Sequence, residues 1–225
     1  MPNFDIEKKN LINKTFRVAK IMGDFDVKGE HSNERFTGAI DLSKNWQIGL
    51  IVGTSGTGKS TIAKSLFPDD YIVGFDYNEN AVIDNMPQNV TVEEIEKMFY
   101  AVGFGSVPSW LKPYNVLSTG EKMRVDLARA LLERENIVFD EFTSVVDRNV
   151  AKTTCVAINK AIKKTNKKFI AVSCHYDIID WLQPDWIFDT STMQQVFTTA
   201  RDLNNVLASL NAGKTRGKHL GDIII

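Results

Sequence analysis

The sequence has few of the features that mark exported, membrane-spanning or nucleic-acid-coating chains. Its 225 residues include two cysteines, too few for a disulfide framework. No stretch approaches the roughly 18 consecutive apolar residues that a membrane helix needs, so direct membrane insertion is not expected. Lysine and arginine total 27 against 28 acidic residues, and the net charge of −1 gives no global attraction to nucleic acid or anionic lipid.

The N-terminus also lacks the apolar core of a signal peptide, since residues 1–20 carry several lysines and Arg17. We therefore expect a cytoplasmic protein, with Cys155 and Cys174 as buried thiols in a reducing compartment. The composition is otherwise that of a globular chain, with 43% hydrophobic and 24% charged residues. A chain of this length buries a sizeable core without disulfides.

Strand patterns dominate the first 50 residues, and helices alternate with short apolar strands after them. The candidate strands are 15–22, 36–42, 46–52, 136–140, 168–173, 186–189 and 195–199. The candidate helices are 59–67, 91–102, 119–134, 149–165 and 176–182. This alternation predicts an α/β fold with a parallel sheet covered by helices.

The strongest motif is a glycine-rich loop between an apolar strand and a helix. It reads Gly53, Thr54, Ser55, Gly56, Thr57, Gly58, Lys59 and Ser60, with Thr61 following. Glycines let backbone amides converge on phosphate oxygens, and the helix N-terminus favours an anion. We expect Lys59 to reach the β- and γ-phosphates and Ser60 to bind Mg²⁺. The alternative is a glycine-rich turn without a ligand.

A second motif is an apolar strand that ends in two carboxylates, Asp140 and Glu141. In a phosphate-loop protein the first such carboxylate helps to hold Mg²⁺. The second is placed to polarise the attacking water as a general base. The alternative is a strand that ends in two solvated acids.

The third motif runs Leu-Ser-Thr-Gly-Glu over 117–121, and it leads into a helix with Ala-Arg-Ala-Leu at 128–131. Here the chain resembles the ATP-binding cassette (ABC) family, whose signature is Leu-Ser-Gly-Gly-Gln. Ser118 and Gly120 match that signature, whereas Thr119 and Glu121 replace Gly and Gln. A helix that is merely capped by a serine is the alternative.

The resemblance implies roles for four further residues. Asp147 matches the D-loop aspartate, and His175 matches a switch histidine that contacts the γ-phosphate or the attacking water. The resemblance also implies an adenine-stacking aromatic at the end of an early strand, for which Phe25 is best placed. Gln88 is the candidate Q-loop residue near the metal. A core role for Phe25, Phe16 as the aromatic, and Asp84 or Asn85 in place of Gln88 stay open.

The fold that the resemblance implies is that of a P-loop NTPase. Its RecA-like core has a mostly parallel sheet, with an N-terminal antiparallel β subdomain and a helical signature subdomain at about 85–132. The ABC-type domain spans 1–210. A basic tail at 211–225 ends in an apolar run, which either pairs onto the sheet or begins a domain missing from this chain.

The resemblance further implies ATP and Mg²⁺ as cofactors and an ATP-dependent head-to-tail homodimer. In such a dimer the phosphate loop of one copy faces the signature of the other. The process that hydrolysis drives stays open between a soluble, phage or mobile-element type of cassette and the ATP-binding subunit of a transporter with a separate membrane chain. The soluble group sometimes carries a C-terminal acetyltransferase-like (GNAT) domain. A slow nucleotide switch and a DNA-associated protein are also open, since lysines 152, 160, 163, 164, 167 and 168 form either a nucleic-acid patch or a solvated face.

Overall fold

The computed structural model describes residues 3–13, 15–27 and 31–198, and a five-stranded sheet forms its centre. The strands lie in the order β4-β5-β3-β6-β7; the first four are parallel and β7 is antiparallel to β6. They span Ile48–Val52 (β3), Asn136–Phe139 (β4), Lys168–Ser173 (β5), Trp186–Asp189 (β6) and Gln194–Phe197 (β7). The predicted α/β fold with a mostly parallel sheet is therefore confirmed.

Helices cover both faces of this sheet, which explains why its strands are continuous apolar runs. All five residues of β3 are buried. On one face, residues such as Ile51 and Val172 pack against Ile62 and Ala63 of a helix. On the other face, Leu50 and its neighbours pack against the helices that carry Leu127 and Ile158. The helices are α2 (Lys59–Leu66), α3 (Val92–Ala101), α4 (Val107–Trp110), α5 (Thr119–Glu133), α6 (Arg148–Ile162) and α7 (Ile178–Leu182).

A second, two-stranded antiparallel sheet lies near the N-terminus, as predicted. Its strands are β1 (Asn3–Leu11) and β2 (His31–Ala39), with Asn3 paired to Ala39. It packs on the α2 face of the main sheet through Phe4 and Phe36. The sequence did not predict β1, and β2 begins earlier and ends earlier than the predicted strand 36–42.

The predicted strand at 15–22 is wrong, because this segment forms helix α1 (Phe16–Asp24). Thr15 provides the reason, since its hydroxyl accepts the backbone N–H of Val18 and caps the helix. The other predicted helices and strands are confirmed with shifts of at most three residues at their ends. The basic tail at 211–225 lies outside the described residues.

Candidate functional site

The glycine-rich loop connects β3, in the middle of the sheet, to the first turn of α2. Gly56 and Gly58 have φ angles of +84° and +85°, which lie in the left-handed region that favours glycine. Gly58 is the N-cap of α2, and a Cβ built on it would lie 2.5 Å from Cε1 of Phe36. The loop therefore wraps closely around the start of α2, where unpaired amides offer an anion site.

Side-chain hydrogen bonds hold the loop in shape. The Lys59 ammonium donates to the carbonyl of Thr54 at 2.8 Å, and its side chain is 8% exposed. The Thr57 hydroxyl donates to the same carbonyl at 2.8 Å and lies 2.6 Å from the hydroxyl of Thr190. Since Thr190 directly follows β6, the loop is fixed to two neighbouring strands of the sheet.

The two carboxylates follow β4 in a turn with unusual backbone geometry. Glu141 and Thr143 have φ angles of +50° and +67°, which are costly for residues with a Cβ. The N–H of Phe142 donates to the carbonyl of Val172 at 2.9 Å and anchors the turn to β5. The Glu141 side chain is exposed, whereas Asp140 is half-buried. The turn therefore leaves the Glu141 carboxylate exposed to solvent and the Asp140 carboxylate partly buried.

Tyr71 is a site residue that the sequence motifs missed. Its hydroxyl donates to Oδ2 of Asp140, while the N–H of Glu141 donates to Oδ1 at 2.9 Å. Burial first, and then the contact with Asp140, raises the pKa of Tyr71, and a hydrogen bond with Ser60 acts in the opposite direction. The phenol therefore stays protonated and donates to Asp140, one of the two predicted metal-binding residues. A tyrosine after a Pro-Asp-Asp turn gave no motif signal.

Ser60 and Asp140 fit a magnesium site in which phosphates complete the coordination of the ion. Ser60 and Asp140 present the hard oxygen donors that Mg²⁺ prefers. Among the described residues no group of three or more His, Cys, Asp or Glu side chains forms a protein-only metal site. Mg²⁺ usually binds through one or two protein oxygens plus substrate phosphates and water, and Ser60 and Asp140 provide two such oxygens.

Ser118 is the N-cap of α5 and makes a complete capping box with Glu121. The Ser118 hydroxyl accepts the N–H of Glu121 at 3.3 Å, and Oε2 of Glu121 accepts the N–H of Ser118 at 3.0 Å. The other carboxylate oxygen accepts the hydroxyl of Ser109 at 2.8 Å. The hydrogen bonds from Ser118 lower the pKa of Glu121. Glutamate suits a capping box as well as glutamine, which explains its presence in this signature.

Asp147 and His175 lie on two loops that an ion pair ties together. Asp147 caps α6, where its Oδ1 accepts the N–H of Asn149 at 2.9 Å. The next residue, Arg148, donates from Nε to Oδ2 of Asp177 at 2.8 Å. His175 is half-buried and follows β5, the neighbour of β3. Its loop therefore lies at the same edge of the sheet as the phosphate loop.

The structure does not place Phe25 at the end of a strand, so that expectation is wrong. Phe25 follows helix α1 and is 72% exposed, and Phe16, the first residue of that helix, is 85% exposed. The aromatic side chain against the phosphate loop is Phe36, which packs over Gly58. A role of Phe25 in adenine stacking stays a prediction.

Gln88 lies in a different cleft from Asp140. Its amide donates to the carbonyls of Asp84 and Met86, both at 3.4 Å. Asp84, Asn85 and Arg129 line the same cleft. The structure therefore does not bring Gln88 together with the carboxylates, and its metal role stays a prediction.

A half-buried aspartate on helix α5 lines the same cleft as the carboxylate turn. The hydroxyls of Tyr77 and Tyr114 each donate to Asp126 at 2.8 Å, and their rings stack with centroids 3.9 Å apart. Burial raises the pKa of Asp126. A cleft of about 450 Å³ includes Asp126, Asp140 and Glu141 among its lining residues. The signature helix and the carboxylate turn therefore share one cleft.

Three of the six lysines in the candidate nucleic-acid patch have partners within the chain. Lys163 pairs with Asp185 at 3.1 Å, Lys167 pairs with Glu135 at 3.1 Å, and Lys168 lies over the ring of Trp46. These contacts favour the interpretation as a solvated face.

The burial prediction for the cysteines is met at Cys155, where burial raises the thiol pKa to about 12, while Cys174 is half-buried.

Solved structures with a similar fold are ABC transporter cassettes. One is a bacterial Atm1-family ABC exporter with ATP bound, at 18% identity and a TM-score of 0.52, over 68% of this chain and 35% of that one. Another is MJ0796, a bacterial ABC transporter cassette, as a dimer, at 15% identity and a TM-score of 0.54, over 69% and 87%. A post-hydrolysis state of MJ0796 bound to ADP and Pi matches at 16% identity and a TM-score of 0.53, with the same coverage.

This likeness shows the fold, which is the P-loop NTPase fold of ABC ATPase cassettes, as the motifs predicted. The chain spans about a third of the length of the exporter that it matches. No protein-family model and no curated protein matches the chain. Over the residues that the structure describes, no helix is both long and apolar enough to cross a membrane.

Proposed function

We propose that the chain is a Mg²⁺-dependent ATPase that works as an ATP-driven head-to-tail homodimer. The observation that carries this proposal is the meeting of three parts at one edge of the sheet. These are the phosphate loop with Lys59, the carboxylate pair after β4, and the loop that carries His175. The similar cassette MJ0796, which has been solved as a dimer and in a post-hydrolysis state bound to ADP and Pi, supports the proposal.

In this mechanism the chain's own residues bind and orient the reactants. The loop amides and Lys59 bind the β- and γ-phosphates of ATP. Ser60 and Asp140 would hold Mg²⁺, which would supply positive charge to neutralise the charge that develops on the phosphates. Glu141 orients a water molecule and accepts its proton as the oxygen attacks the γ-phosphorus. The bond from that phosphorus to the bridging oxygen breaks, which leaves ADP and phosphate.

The signature completes the site of the second copy. The Ser118 side chain is exposed, and its hydroxyl bonds to Glu121 within its own capping box. In the dimer we expect Ser118 and Gly120 to face the γ-phosphate bound by the partner's phosphate loop, with Asp147 beside them and His175 on the phosphate within its own chain. Loss of the γ-phosphate then opens the dimer.

Glu141→Gln tests this proposal by size-exclusion chromatography with and without Mg-ATP. We expect this variant to stay a dimer with ATP, because it binds but does not hydrolyse the nucleotide. Lys59→Ala should stay a monomer because it binds ATP weakly. Glu96→Gln, an exposed change of the same type on α3, should behave like the wild type. A Glu141→Gln variant that remains monomeric with ATP would contradict the composite site.

A second candidate is the ATP-binding subunit of a transporter, with the membrane domain on another chain. It is supported by the likeness to an ABC exporter and to an ABC transporter cassette. The soluble phage or mobile-element role, with its acetyltransferase-like domain, is supported by the sequence alone. Phosphate release measured with added DNA and with added membrane extract distinguishes these roles, because only the relevant partner should stimulate turnover.

A further inference from the structure

Tyr71 contacts a predicted metal-binding residue from outside the sequence motifs. Its hydroxyl donates to Oδ2 of Asp140, which directly follows β4. The other predicted metal-binding residue, Ser60, lies in the first turn of α2. A phenolic oxygen therefore holds one of the two predicted ligands of the candidate magnesium site.

The main chain explains how Tyr71 reaches this position. Residues 70–72 run parallel to β4, where Ile72 N–H donates to the carbonyl of Val138 and Val138 N–H donates to the carbonyl of Asp70, both at 2.9 Å. Paired residues point to the same face of a sheet, and so do residues two apart on one strand. Tyr71, Val138 and Asp140 therefore share the face that α2 covers.

The ring of Tyr71 is fixed by packing. It is 8% exposed and belongs to the core cluster that includes Ile62, Ala63 and Val138. The ammonium of Lys64 lies 5.0 Å from the centre of the ring. A hydroxyl on such a ring has a fixed position, so it is able to hold a neighbouring carboxylate in one orientation.

The carboxylate of Asp140 is held at both oxygens. Oδ1 accepts the N–H of Glu141 at 2.9 Å, and Oδ2 accepts the hydroxyl of Tyr71. These two donors fix the rotation of the carboxylate and leave its remaining lone pairs for a metal ion or its water. Donors that orient a metal-binding carboxylate typically change metal affinity about 10–100-fold when removed.

We propose that Tyr71 is a positioning residue for the Mg²⁺ of the nucleotide site, since it holds the Asp140 carboxylate in the orientation that receives the ion. This inference rests on the proposed function. It assigns to Tyr71 a role in the metal dependence of nucleotide binding, and none in the affinity for the nucleotide itself.

Tyr71→Phe removes the hydroxyl and keeps the buried ring. With Mn²⁺ as the probe and ADP as the nucleotide, we expect the affinity for Mn²⁺ to fall about 10–100-fold, measured from the electron paramagnetic resonance signal of free Mn²⁺. The affinity for ADP in EDTA should not change. Tyr77→Phe is the matched control, because it also removes a phenol that donates to a half-buried aspartate, and it should leave Mn²⁺ binding unchanged.

Three results would overturn the role of Tyr71. The first is an unchanged affinity of Tyr71→Phe for Mn²⁺. The second is a raised affinity for Mn²⁺, which would mean that the hydroxyl competes with the ion. The third is a loss of ADP affinity that is as large in EDTA as it is with Mn²⁺. If the wild type itself binds neither ADP nor Mn²⁺, the proposed function fails together with this inference. If the wild type binds both and Tyr71→Phe binds them equally, only the positioning role fails.

Discussion

Gly58, in the phosphate loop, is constrained both by its backbone conformation and by its packing. It ends the loop, caps α2 and has a φ angle of +85°. It also lies against the ring of Phe36, which joins the N-terminal sheet to the main sheet. Any side chain here is strained by the backbone and obstructed by the ring.

Gly58→Ala should therefore lower both stability and nucleotide affinity. The left-handed backbone alone costs a residue with a Cβ about 1–2 kcal/mol, and displacement of Phe36 adds to this. Urea denaturation and ADP binding measure the two effects. Gly23→Ala is the control, because a Cβ there meets nothing within 4 Å and alanine favours the helix. Equal stability of Gly58→Ala and the wild type would contradict the strain.

Asp185, which directly precedes β6, fixes the start of β3. Its Oδ2 accepts the N–H groups of Gln47 at 2.8 Å and Ile48 at 2.9 Å, and its Oδ1 pairs with Lys163 at 3.1 Å. Burial alone would raise the pKa of Asp185, but the hydrogen bonds and Lys163 hold the pKa below its usual value. The ionised form thus stabilises the folded state.

The sign of the resulting pH dependence follows from this lowered pKa. The stabilisation is complete above the unfolded pKa of about 3.9 and is lost as the pH falls through the folded pKa. Asp185→Asn should be less stable than the wild type by about 2 kcal/mol near neutral pH. The difference should narrow below about pH 4. Urea denaturation over this range measures it, and a difference that stays constant with pH would count against the argument.

Helices α3 and α5 both begin with a capping box, so the same substitution can be compared at the start of each helix. Thr91 with Glu94 caps α3, and Ser118 with Glu121 caps α5. Only the second cap belongs to the signature. Stability and ATP recognition can therefore be separated by the same chemical change at two places.

Thr91→Ala and Ser118→Ala should each lower the free energy of unfolding by about 1 kcal/mol, because each removes an N-cap oxygen. Only Ser118→Ala should also weaken the ATP-dependent dimer of a Glu141→Gln background. Chemical denaturation and size-exclusion chromatography measure the two effects. Equal dimerisation of both double variants would show that Ser118 is a cap and nothing more.

Elements with consecutive apolar residues could be predicted from the sequence, and elements that depend on pairing could not. The runs that became β3 to β6 are buried on both faces, so their composition alone indicates strands. β1 was missed because it is mostly exposed and is specified by its pairing with β2. The segment after Thr15 was misread because its cap, rather than an alternating pattern, decides its structure.

The same distinction applies to the site. The phosphate loop, the carboxylates and the signature are each local in sequence, so spacing was enough to find them. Tyr71 lies 69 residues before Asp140, and its contact depends on the pairing of residues 70–72 with β4. Gln88 had the right residue type at a plausible distance in sequence, yet the fold places it in another cleft.

At the scale of the whole molecule, the proposed function requires two copies to complete each site. Lys59 is the first residue of α2, at the end of the phosphate loop, whereas the exposed Ser118 is the N-cap of a different helix, α5. A head-to-tail dimer with two-fold symmetry pairs each phosphate loop with the other copy's signature. A substitution in the phosphate loop of one copy and a substitution in the signature of the other copy then affect the same site.

A mixture of Lys59→Ala and Ser118→Ala proteins should therefore recover ATPase activity that neither has alone. In the mixed dimer one site carries both changes, while the other has an intact loop and an intact signature. Each mixed dimer has one working site of two, so we expect turnover above that of either variant alone and no more than about half of the wild-type value. Phosphate release from equimolar mixtures measures it, with each variant alone as the control. Activity no greater than the sum of the separate variants would mean that each chain carries a complete site.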